Sequence, residues 1–175
     1  MKYLSSVLPS LFVFLLSTHA LAKPQQPNPA SITELTITSE DQRMTGLIYG
    51  AAGEGLHPTV LLLHGYPGNE KNLDVAQALR SKGWNVVFFH YRGAWGSEGE
   101  FSFLNAEHDV QTVLGYLKDN AKRLSIDSNQ ISLVVHSMGG HMAIAGILDN
   151  PTVKCAVSYD GANLGDNSTI GIDGI

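Results

Sequence analysis

The sequence predicts an α/β fold: a mostly parallel, doubly wound sheet with helices on both faces and an antiparallel hairpin at its N-terminal edge. Three observations carry that reading. From Thr59 onward, apolar runs of strand length alternate with segments of helical spacing, the pattern of a parallel sheet with right-handed crossovers. The runs at 59–63 and 84–89 are apolar without alternation from Val60 and from Val86, as in strands covered on both faces. Each ends in a glycine-containing loop, and the carboxyl ends of such strands are where ligands bind.

The 175 residues amount to one domain with a sizeable core, and 15% charged against 43% hydrophobic residues is the balance of a folded chain. A net charge of -5 offers no basic surface for a nucleic acid. Residues 1–22 read as a secretory signal. Lys2 supplies the positive start, 11–16 the apolar run and Ala20-Leu21-Ala22 the cleavage site. The run is too short to span a bilayer, and Pro9 and His19 flank it. Cleavage after Ala22 and a secreted or periplasmic location follow, with no membrane anchor afterwards. Cys155 is alone in the sequence, so no intramolecular disulfide forms, and no cysteine follows the cleavage site to carry a lipid. Residues 23–30 are a proline- and glutamine-rich linker, and the domain occupies 31–175.

Within the domain, Ile32 to Thr38 alternates apolar and polar side chains, as a half-exposed edge strand does, and Arg43 to Tyr49 follows a turn at 39–42 to complete the hairpin. Thr59 to Leu63 is the first buried strand, ended by His64-Gly65-Tyr66-Pro67-Gly68. Asn72 to Lys82 has helical spacing through Leu73, Ala76 and Leu79, with Gly83 as its stop. The strand at 84–89 ends in His90-Tyr91-Arg92-Gly93. After a glycine-rich loop, a helix is expected from about Asn105 to Lys122, with Val110, Val113, Leu114 and Leu117 on one face. Residues 127–130 read as a turn, 131–135 as a strand, His141 to Leu148 as a helix stopping before Asn150-Pro151, and Val153 to Tyr159 as a last strand.

The strongest chemical signal is Val135-His136-Ser137-Met138-Gly139, a serine between an apolar strand and a helix. At such a turn the hydroxyl stands above the sheet edge and the next backbone N–H faces a developing oxyanion. Gly139 is small because strand and helix backbones approach closely there. Val135 stands where such motifs carry their first glycine, and its β-branched side chain is expected to crowd its neighbours, so that Val135→Gly raises activity or leaves it equal.

Together with His64-Gly65-Tyr66-Pro67-Gly68, Tyr91-Arg92-Gly93 and Gly96-Ser97-Glu98-Gly99, this motif makes the stretch from about Ile32 to Asp160 resemble the α/β-hydrolase superfamily, in its serine esterase or serine aminopeptidase-like branch. The resemblance implies the N-terminal part of that fold, with Ser137 as nucleophile and the backbone N–H groups of Tyr66 and Met138 as the oxyanion hole. Asp160 is the candidate acid, with a turn residue before Gly161 as the alternative. It implies no cofactor and no metal. His64 is then a loop-packing histidine and His136 the variable residue before the nucleophile; no tight ligand spacing links them or His90.

The superfamily order is serine, acid, histidine, yet the one histidine after Ser137 is His141, a turn down the same helix, where a packing or surface role is expected. Glu107-His108-Asp109 reads as a solvated helix start. Tyr66, Trp95 and Phe101 suggest an aromatic-lined substrate pocket, or core packing. Residues 163–175 look like a loop cut short, with the C-terminal strands and the base absent. Two functions are therefore expected. One is a secreted serine hydrolase cleaving small-molecule esters or peptide-like amides, weak or inactive as this chain; the other is a non-catalytic binding or scaffold protein derived from one.

Overall fold

A computed structural model describes residues 28–148 and 150–162. The expected signal at 1–22, most of the linker and the loop from 163 lie outside the described residues. The elements are β1 (Ser31–Ser39), β2 (Gln42–Gly50), β3 (His57–Leu63), α1 (Leu73–Arg80), β4 (Asn85–Phe89), α2 (Phe103–Asp119), β5 (Ile126–Ser137), α3 (Gly139–Leu148) and β6 (Val153–Gly161). They build one six-stranded sheet in the order β1-β2-β4-β3-β5-β6. β1 and β2 pair antiparallel, β2 pairs antiparallel with β4, and β4, β3, β5 and β6 run parallel. The expected hairpin and the parallel, two-faced sheet are both present.

Side-chain alternation along the strands sorts the core into two layers. Val60 and Leu62 of β3, with Val86 and Phe88 of β4, face α1 through Leu73, Ala76 and Leu79. Leu61 and Leu63, with Val87, Phe89 and Leu133, face α2 and α3. Strands buried on both sides must be apolar at every position, which is why 59–63 shows no alternation in the sequence. The β1–β2 turn takes two residues, Glu40 and Asp41, both at positive φ (46° and 63°), the twist that two-residue hairpin loops require.

Several boundaries differ from the sequence reading. The helix expected from Asn105 begins at Phe103, because the Ser102 hydroxyl caps it by accepting the Asn105 N–H at 3.0 Å. α1 stops at Arg80, two residues short of Lys82. The turn expected at 127–130 is a bulge inside β5: His57 pairs with Ile126 and Thr59 with Ile131. Asp127 accepts the Asn129 N–H at 3.0 Å, so the local turn chemistry is real, but strand pairing resumes beyond it. Val135, expected to crowd its neighbours, takes a place in the core. It is fully buried in the layer beneath α2 and α3, a core residue rather than an intruder.

Candidate active site

Ser137 ends β5 and holds a left-handed backbone conformation at φ 52°, with α3 starting two residues later. A non-glycine residue there is held by its surroundings. The Ser137 carbonyl accepts the Ala162 N–H at 2.8 Å. Two glycines make the turn possible. A Cβ on Gly139 would sit 2.7 Å from the Leu63 carbonyl oxygen of β3, so strand and helix meet backbone to backbone, as the sequence suggested. A Cβ on Gly65 would sit 2.7 Å from the Ser137 Cβ and 3.1 Å from its Oγ, so the loop after β3 passes directly over the serine. Between them lies a cavity of about 190 Å³ lined by Gly65, Tyr66, Pro67, His136 and Ser137, among others.

Met138 follows this serine in the chain and Tyr66 lines the cavity beside it; the N–H groups of both donate no hydrogen bond among the described residues. The loop carrying Tyr66 is held from below by His64, whose Nδ1 lies 2.7 Å from the Gly65 carbonyl oxygen and whose ring packs edge-on to Tyr91. Burial lowers the His64 pKa, and the ring packs under the loop as its superfamily role implied.

The remaining sequence candidates are dispersed. Asp160 is at positive φ, with its side chain 92% exposed and its carboxylate 4.0 Å from His136 Nε2. The His136 ring stacks on Tyr159, and its Nδ1 is buried without a partner. His141 is bound away on α2, its Nε2 2.9 Å from Glu107 Oε1. Among the described residues no histidine hydrogen-bonds to the Ser137 hydroxyl. Of the expected aromatic lining, Tyr66 borders the serine cavity, while Phe101 packs on Tyr66 and the core, and Trp95 lines a separate hollow.

The solvated reading of 107–109 holds for the exposed His108 and fails at Asp109. Asp109 is fully buried and accepts Arg92 Nε at 2.6 Å and the Arg92 N–H at 2.9 Å. Glu107 holds His141, and His108 meets Glu40 at 3.3 Å. Arg92 also donates to Glu40 at 2.6 Å in the hairpin turn and to the Asn105 carbonyl at 3.2 Å, so one guanidinium ties the loop after β4 to α2 and to the sheet edge. That bond, with Arg92's charge, holds the Glu40 carboxyl below its usual range. A signal for the pair was present in the sequence: Asp109 falls at the helical spacing of the buried stripe Ala106, Val110 and Val113.

Comparison with known proteins agrees with this architecture. The sequence model of the BD-FAE family matches residues 48–167. An uncharacterised 31.7 kDa protein of Escherichia coli, from the traX–finO intergenic region, is 30% identical over 104 residues, 58% of this chain and 36% of that protein. Among solved structures, the α/β hydrolase GrgF from Penicillium sp. sh18 superposes with a TM-score of 0.65 at 20% identity, over 81% of this chain and 51% of that one. The Pyrococcus furiosus esterase Pf2001 gives 0.63 at 24%, over 78% and 56%. The chain thus spans about a third of the length of that curated relative and about half that of these structures.

Proposed function

Because the chain belongs to the BD-FAE family of α/β-hydrolase-like proteins, we propose that it is a serine hydrolase cleaving carboxylic esters or peptide-like amides through an acyl-serine intermediate. The observation that carries the proposal is Ser137 itself: held at positive φ between a strand and a helix, beneath a glycine, and open to a cavity. In this reading Ser137 Oγ attacks the substrate carbonyl carbon and its proton passes to a base. The oxyanion so formed is received by the N–H groups of Tyr66 and Met138. Collapse expels the alcohol or amine, and water then releases the acid. Names of structural neighbours that include esterases support the direction.

Since no described histidine meets the serine, the chain by itself is proposed to acylate slowly, on its oxyanion hole alone. Export, proposed from the signal-like residues 1–22, would place the reaction outside the cytoplasm. A fluorophosphonate probe on the purified chain tests the reading. Slow labelling that disappears in Ser137→Ala is expected. Labelling that survives the substitution overturns the role of Ser137, and labelling at the rate of an ordinary serine hydrolase overturns the missing base. The missing contact to Oγ also favours the second reading, a hydrolase-derived binding protein. That reading predicts no labelling above Ser137→Ala.

A further inference from the structure

Apart from the serine cavity, the α1 side of the sheet carries a second hollow of about 370 Å³, and the two share no lining residue. It exists because α1 is short: eight residues cover roughly 12 Å, leaving the surface of β2 and β4 beyond them unroofed. Its floor includes Leu47, Leu73 and Phe88, and its wall is the half-exposed indole of Trp95. Lys71 Nζ lies 5.3 Å from the centre of that ring. Among the described residues Lys71 has no carboxylate partner, whereas the other cation of the rim, Arg43, is paired with Glu98 at 3.4 Å. His90 lines the hollow at 8% exposure, makes no side-chain hydrogen bond among the described residues, and has Nδ1 buried and unpaired. Glu34, at the opposite rim, opposes a second negative charge.

We propose that this hollow binds a small aromatic monocarboxylate, its ring on Trp95 above the apolar floor, its carboxylate on Lys71, and a polar substituent at His90. One uncompensated cation beside an aromatic face selects one negative charge attached to a ring. The volume suits a ring with a short side chain. Occupancy would bear on the serine loop through one contact: Trp95 Nε1 donates to the Pro67 carbonyl at 2.7 Å. The site does not depend on Ser137 being reactive.

The test is calorimetric titration of 3-phenylpropionate into the full chain, with 3-phenylpropan-1-ol as the uncharged comparison. Saturable binding of the acid is expected, weakened about tenfold in Lys71→Ala and abolished in Thr36→Trp, which fills the hollow from β1. The alcohol is expected to bind about tenfold more weakly and to ignore the lysine substitution. Absence of saturable binding overturns the proposal, and so does acid binding unchanged by Lys71→Ala, which would locate the ligand elsewhere, the serine cavity included. If Thr36→Trp fails to fold, Lys71→Ala and the alcohol comparison still decide.

Discussion

Gly65 and Val135 act on the same serine from opposite sides. A methyl on Gly65 has nowhere to go but against the Ser137 side chain, so Gly65→Ala is expected to slow fluorophosphonate labelling by at least about tenfold, through misplacement of the hydroxyl. Val135 has the reverse character. Two residues before the serine it fills core space beneath α2 and α3, and Val135→Gly opens a cavity and loosens a central strand. A loss of about 3 kcal/mol in urea unfolding is expected, with activity falling along with stability. An unchanged urea midpoint would restore the view that a glycine belongs there. The motif showed where the serine sits. It did not show that the first small residue is dispensable, because that depends on what β5 packs against.

Among the elements, the long connection from β4 to α2 is tied to its neighbours by side-chain hydrogen bonds. Its backbone and side chains zip onto β2: Glu98 accepts the Arg43 N–H at 2.9 Å, and the Ser97 hydroxyl accepts the Thr45 N–H at 3.0 Å while donating to the His90 carbonyl at 2.8 Å. At its start stands the buried Arg92–Asp109 pair. Removing one member of such a pair strands the other charge, so Asp109→Ala is expected to cost about 3 to 5 kcal/mol in urea unfolding, and Asp109→Asn distinctly less. Equal, small effects from both would show that Glu40 suffices for Arg92. Strand and helix types were legible in the sequence because two-sided burial writes itself as continuous apolar runs and amphipathic helices as a 3.6-residue period. The zip was not, because it joins residues about fifty positions apart through side chains that look like ordinary loop polarity. Asp109 was legible in principle. A carboxylate on a buried helical stripe calls for a cation, and Arg92 was the arginine already singled out beside a strand end.

For the whole molecule, acid stability is set in part by histidines sealed under the loops. Burial, reinforced by the charges of His64 and Lys71, pushes the His90 pKa down to about 4, against an ordinary value near 6.5. The unfolded chain therefore takes up this proton first. Stability from His90 is complete above about pH 6.5 and is lost as pH falls toward 4, amounting to about 2 kcal/mol by pH 5. His64, lowered by burial, acts in the same direction. Urea midpoints at pH 7.5 and 5 are expected to differ less in His90→Phe than in the native chain; an identical pH dependence would remove His90 from the account. The sheet as a whole has one further property. β6 pairs with β5 on one side, is largely exposed along its length, and has no partner on its other side among the described residues. Strands lie about 4.8 Å apart, so a strand added there in parallel would deliver its own carboxyl-end loop about 10 Å from the strand that carries Ser137. That loop would stand on the same edge of the sheet as the serine and the cavity beside it.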